Sequence, residues 1–152
     1  MNRIAVFPGS FDPITIGHVA LLRRAVPLFD RIIVAVGINV AKRYAYPLDE
    51  RLQRIRQAVA GMPTVDVTTY DTLTTDLCHQ VGAQYILRGV RGNADFEYER
   101  TIADNNKLIA PDIETVFLIA NPDMAVVSSS LVRELKAFGK DVDALLPNNN
   151  AQ

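Results

Sequence analysis

A chain of 152 residues is about the length of one average domain and leaves no room for two large ones. Apolar residues make up 49% and charged residues 22%, an ordinary globular composition, and at this size folding buries roughly 70% of the unfolded surface without staples. Sixteen Lys and Arg against seventeen Asp and Glu argue against broad nucleic-acid coating, so any anion site must be local. Cys78 stands alone, which excludes an intramolecular disulfide and fits a reducing compartment. The apolar stretches Ile4 to Phe7 and Ile32 to Ala41 are too short for a secretory core or a bilayer span, so the expectation is a cytoplasmic protein with no membrane association.

In chain order, short β-branched runs alternate with longer amphipathic segments, and Gly, Pro or polar clusters mark each change. Arg3 to Phe7 predicts the first strand. The loop Pro8-Gly9-Ser10-Phe11-Asp12-Pro13-Ile14 follows, then a helix capped by Thr15, with Val19, Leu22 and Val26 as its apolar stripe and Pro27 ending it early. Arg31 to Val36 reads as a strand covered on both faces. Pro47 to Ala60 predicts a helix with Leu48, Leu52, Ile55 and Val59 on one face and Gly61 beyond its end. Thr64 to Tyr70 is the third strand, and Leu73, Leu77 and Val81 mark a short helix closed by Gly82. Gln84 to Leu87 is the fourth strand and leads into a loop, Arg88-Gly89-Val90-Arg91. A helix over 93–109 stopped by Pro111, a fifth strand over 113–119 and a last helix with Leu131, Val132, Leu135 and Phe138 complete the pattern, with a frayed tail over 148–152.

Five strands alternating with helices predict right-handed crossovers and an α/β, doubly wound, Rossmann-like fold with a five-stranded parallel sheet in the order 3-2-1-4-5. Strands one and four are then neighbours, and the crevice at their carboxyl ends is the expected ligand site.

The loop after strand one runs into a helix N-terminus, where free N–H groups and the dipole favour an anion such as phosphate. Gly9 permits close backbone approach, Ser10 offers a hydroxyl, and His18 falls in the first turn with Gly17 beside it. The competing reading is that Thr15 merely caps the helix and His18 lies on the surface. Arg88 and Arg91 can grip phosphate oxygens in fork geometry, or they can be a solvated pair balancing Asp95, Glu97 and Glu99. Lys42 would add a third cation to that edge. Ser128-Ser129-Ser130 exceed what one N-cap requires and suggest a second anion cradle. Cys78 is expected to pack and His79 to be structural or superficial. No Walker lysine, GxGxxG or metal-ligand cluster is visible.

Pro8-Gly9-Ser10-Phe11-Asp12-Pro13-Ile14-Thr15 with Gly17-His18 resembles the signature of the T/HxGH nucleotidyltransferase superfamily, and Ser128-Ser129-Ser130 resembles its second motif. Arg88-Gly89-Val90-Arg91 with Asp95-Phe96-Glu97-Tyr98-Glu99 is similar, within it, to bacterial phosphopantetheine adenylyltransferases. The likeness runs to about Pro147 and implies one nucleotidyltransferase domain over 1–152. It implies transfer of the adenylyl group of ATP to 4'-phosphopantetheine, giving dephospho-coenzyme A and pyrophosphate, with Mg2+ carried mainly on substrate phosphates, in a cytoplasmic homohexamer. It further implies that His18, Ser10, Lys42 and Arg91 are catalytic. Gly9, Ser10, Phe11, His18, Gly89, Val90, Arg91, Glu99 and the run Met124, Ala125, Val126, Val127, Ser128, Ser129 and Ser130 would bind ATP. Ser10, Lys42, Thr74, Arg88 and Asn106 would bind phosphopantetheine. The alternatives are a sister enzyme acting on another phosphorylated acceptor and a nucleotide-binding regulator without catalysis.

Overall fold

The computed structural model describes residues 2–147, so the tail expected over 148–152 lies outside the described residues. Five strands, β1 (Ile4–Gly9), β2 (Arg31–Gly37), β3 (Val65–Tyr70), β4 (Tyr85–Val90) and β5 (Glu114–Ile119), form one sheet in the order β3-β2-β1-β4-β5. All pairings are parallel. Five helices connect or follow them: α1 (Ile16–Ala25), α2 (Leu48–Ala58), α3 (Thr74–Val81), α4 (Asn93–Ile109) and α5 (Ser129–Ala137). This is the doubly wound α/β architecture that the alternation predicts.

Strand parity builds the two faces, because successive side chains point to opposite sides. Ala5, Phe7, Ile32, Val34 and Val36 join Leu22 of α1 and Ile55 of α2 in one buried cluster. Ile4, Val6, Ile33 and Ala35 join Leu77 and Cys78 of α3 in the other. Cys78 is fully buried, and its thiol pKa is pushed up to about 11 by that burial, so it packs rather than reacts. His79 forms a superficial pair with Asp112.

The helix ends follow their chemistry. Thr15 caps α1, which ends at Ala25, and Pro27 allows only a single 3-10 turn beyond it. Gly82 closes α3 with φ of 73°, a left-handed conformation that suits glycine. Two predicted stripe residues face solvent instead: Leu73 is the N-cap of α3, and Phe138 follows the end of α5. At both positions the helix geometry that would turn the side chain inward is lost.

β2 runs one residue further than its sequence suggests, to Gly37, and β1 and β4 run two and three residues further, differences that shape the crevice. β1 continues through Pro8 and Gly9, which pair with Ala35 and Val36 of β2. β4 continues through Arg88, Gly89 and Val90, which pair with Phe117, Leu118 and Ile119 of β5, so the supposed arginine loop is largely strand. Between β1 and β4 themselves the register covers only Ala5 with Tyr85 and Val6 with Ile86. A strand residue's N–H and C=O point to the same side, and the Pro8 carbonyl points at β4, where it accepts from Arg88 Nη1 at 2.6 Å. The N–H that proline lacks would therefore have faced β4 too, so Pro8 keeps its β2 pairing while the β1–β4 ladder stops. Gly89 matters to packing as well: a Cβ there would stand 2.6 Å from Leu21 Cδ1 of α1.

Candidate active site

The divergence of β1 and β4 opens two cavities that share a wall. One, of about 640 Å³, is lined among others by Ser10, Lys42, Tyr44, Thr74, Arg88 and Asn106. The other, of about 390 Å³, holds Gly9, Ser10, Phe11, His18, Gly89, Arg91, Glu99, Met124, Val127 and the three serines at the head of α5. Ser10, Lys42, Arg88 and Glu99 border both. The structure thus gathers Ser10, Lys42, Thr74, Arg88 and Asn106 around one space, and most residues of the ATP set around the adjoining one. Val90 is buried at the end of β4, and neither it nor Ala125 nor Val126 lines the second cavity.

His18 occupies the third position of α1 and completes a capping box. The Thr15 backbone N–H donates to His18 Nδ1 at 3.0 Å, and the His18 N–H donates to Thr15 Oγ1 at 3.4 Å. An Nδ1 that accepts carries no proton, so the neutral ring holds its hydrogen on Nε2 and is a donor there. Burial first, then the positive charges of Arg88 and Arg91, lower its pKa to about 4. The ring is neutral at physiological pH, half-buried, and packed against Phe11 with centroids 5.0 Å apart. Capping and chemistry are therefore not alternatives at this residue, because the cap selects the tautomer.

Both arginines are engaged by carboxylates within the chain. Arg88 donates from Nε to Glu99 Oε2 at 2.8 Å and from Nη2 to Glu99 Oε1 at 2.5 Å. Burial disfavours the Arg88 cation, but the hydrogen bonds and charge of Glu99 outweigh it and leave its pKa above the ordinary arginine value. Glu99 is buried, so its carboxylate answers Arg88. Arg91 pairs with Asp95 one turn on, at 2.9 Å, at the exposed rim. Both partners come from the acidic first half of α4, so the solvated-pair reading is half right: the pairing is real, but Glu99 is not solvated.

The three serines also divide their work. Ser128 caps α5 by accepting from the Leu131 N–H at 3.0 Å, and Ser129 Oγ donates to the Pro13 carbonyl at 2.7 Å. Ser130 Oγ accepts from Arg133 Nη2 at 3.2 Å. The cradle at this helix head consequently rests on N–H groups and on Ser130 more than on three spare hydroxyls. Lys42 Nζ donates to Ser10 Oγ at 3.2 Å, closing the edge of the first cavity.

Three residues at the site have roles that a reading of motifs does not supply, although Asp12 lies within the first motif. Asp12 is buried and accepts from the Ala45 and Tyr46 N–H groups at 2.8 and 2.9 Å. Arg133 donates to the Asp12 carbonyl at 2.9 Å. Arg51 of α2 is 3% exposed and donates to the Ser10 and Tyr46 carbonyls at 2.9 and 3.1 Å. One signal could have exposed Arg51: it stands three residues after Leu48 and four before Ile55, on the side of the helix that faces the core.

Residues 6–135 match the cytidylyltransferase-like family. A phosphopantetheine adenylyltransferase of Flavobacterium psychrophilum is 45% identical over 145 residues, covering 95% of each chain. That of Limosilactobacillus reuteri is 45% identical over 147 residues, covering 97% of this chain and 85% of its own. One from Bacteroides thetaiotaomicron is 46% identical over 145 residues, covering 95% of both. Among solved structures, a chain from Vibrio parahaemolyticus named as a nicotinate-nucleotide adenylyltransferase superposes with a TM-score of 0.70 at 18% identity, covering 97% of this chain and 95% of that one. A bifunctional NMN adenylyltransferase/ADP ribose pyrophosphatase of Francisella tularensis gives 0.70 at 14%, covering 99% of this chain and 46% of that one. Those distant structures share the fold. Identity near one half over almost the whole length, in a chain whose signature residues converge on one split in the sheet, places it in the phosphopantetheine adenylyltransferase family.

Proposed function

We infer that the chain transfers the adenylyl group of ATP to 4'-phosphopantetheine, releasing pyrophosphate and forming dephospho-coenzyme A in coenzyme A biosynthesis. The observation that carries this reading is the pair of cavities meeting at Ser10, Lys42 and Arg88. Such a wall holds two anionic substrates side by side with cations and donors between them. The acceptor phosphate, its second pKa near 6, is already a dianionic nucleophile, so no covalent intermediate and no strong base are required. A phosphate oxygen bonds to the α-phosphorus, the bond to the bridging oxygen of pyrophosphate breaks, and that oxygen leaves with the electron pair.

In this mechanism Lys42 and Arg88 orient the acceptor phosphate, and Thr74 and Asn106 line the channel for the rest of it. His18 Nε2–H donates to the α-phosphoryl oxygen on which charge grows. The N-terminus of α5 with Ser130, and Arg91, receive the leaving phosphates. Among the described residues no group of three or more His, Cys, Asp or Glu is placed to hold a metal, and arginines already hold Glu99 and Asp95. Mg2+ would enter as part of the Mg·ATP substrate, on phosphate and water oxygens, which it prefers to all-protein cages.

Pyrophosphate release from Mg·ATP with a panel of phosphorylated acceptors tests the assignment. Phosphopantetheine is expected to give stoichiometric pyrophosphate and dephospho-coenzyme A, while nicotinate mononucleotide and glycerol phosphate stay inert. Faster turnover with the mononucleotide would move the chain to a sister activity, and no release with any acceptor would make it a non-catalytic regulator.

The proposed setting is a homohexamer in the cytoplasm. Leu108 and Ile109 at the end of α4 are 82% and 56% exposed, and Ile119 at the end of the edge strand β5 is 71% exposed, apolar surface that a second copy would cover. No described helix is long and apolar enough to cross a membrane, and the one cysteine is buried. Light scattering should give about six times 16.8 kDa, and a monomer of 16.8 kDa at micromolar concentration would overturn the assembly.

A further inference from the structure

Resting on that reading of the site, we propose that Arg51 is a positioning residue for the acceptor phosphate, acting through Ser10 and Lys42 without touching substrate. A buried guanidinium costs several kcal/mol in desolvation unless its surroundings repay it. Yet no carboxylate among the described residues lies within 4.0 Å of Arg51, unlike Arg88 and Arg91. Its partners are two backbone carbonyls and an aromatic face, and all three belong to the loops that carry the site.

The contacts close a circuit. Arg51 Nη1 donates to the Ser10 carbonyl at 2.9 Å, Ser10 Oγ accepts from Lys42 Nζ at 3.2 Å, Lys42 Nζ lies 5.3 Å from the Tyr44 ring centre, and that ring lies 3.9 Å from the Arg51 guanidinium. Arg51 Nε also holds the Tyr46 carbonyl, where the same loop enters α2. Asp12 pins the same turn from the other side through the Ala45 and Tyr46 N–H groups. Lys42 lies on a loop of exposed residues with no strand pairing of its own. Only a rigid planar fork can bond Ser10 and Tyr46 at once while stacking on Tyr44. A lysine ammonium in its place cannot span the same three partners.

The test is the KM for acceptor, measured with whichever phosphorylated acceptor the panel turns over, in Arg51→Lys, Lys42→Ala and the double variant. Arg51→Lys should raise the acceptor KM about tenfold and lower kcat, with KM for ATP within about twofold of wild type. Because the effect passes through Lys42, adding Arg51→Lys to Lys42→Ala should cost little more. Should Arg51→Lys fail to fold, Tyr44→Leu opens the same circuit and should show the same non-additivity. Equal rises in both KM values, or additive effects in the double variant, would reduce Arg51 to general scaffolding. An acceptor other than phosphopantetheine would overturn the functional reading alone, since the circuit is then tested on that acceptor.

Discussion

Replacing His18 by alanine is expected to lower kcat about 10²- to 10³-fold while KM for ATP stays within about threefold, because a donor aimed at developing charge stabilises the transition state more than the ground state. The capping box makes the donor specific. Thr15 N–H occupies Nδ1, so Nε2 carries the hydrogen, and the pKa near 4 keeps the ring neutral. A neutral donor has a pH signature: kcat should show no limb near 6.5 from this residue, since protonation sets in only toward pH 4. Stability carries the matching sign. Between pH 6.5 and about 4 the unfolded chain binds more protons at this position than the folded one, so stability falls as pH drops through that window. His18→Ala should remove that component, at the cost of one capping bond worth about 1 kcal/mol. Near wild-type kcat in the folded variant would make the imidazole a bystander.

Glu99→Ala is expected to destabilise the fold by about 3 kcal/mol, the low end for removing one partner of a buried ion pair. The Glu99 side chain is 9% exposed and that of Arg88 28%, so the orphaned guanidinium keeps only partial access to water from the cavity side. For a chain of this size that loss lowers Tm by roughly 6–12 °C. The exposed pair Arg100–Asp104, with side chains 67% and 71% exposed, is the internal control, and Asp104→Ala should change stability by less than about 0.5 kcal/mol. Equal effects from the two substitutions would show that the Arg88–Glu99 pair is solvated.

Much of this molecule was legible in the chain because local rules and tertiary packing agree. The β-branched runs, the Thr15 cap, Pro27, Gly82 and the interval from Asn93 to Ile109 each act over a few residues, and they marked the elements of a doubly wound sheet whose order places strands one and four together. The signature around Ser10 and His18 was equally visible, since it is carried by particular residue types at short spacing. What the chain alone could not decide depends on partners far away in sequence. Whether Arg88 is a free fork or a clamped one rests on Glu99 and on a carbonyl at Pro8, eighty residues earlier. Whether Pro8 ends a strand depends on which neighbour would have needed its N–H, and only the sheet order answers that. Arg51 is the clearest case: its spacing from Leu48 and Ile55 places it on the core side of α2, but only the loops that fold over α2 supply the carbonyls and the ring that hold a cation inside. Backbone hydrogen bonding and apolar periodicity are properties of a segment, whereas the environment of a charge is a property of the whole fold, because it is set by whichever groups the tertiary structure brings within a few ångströms.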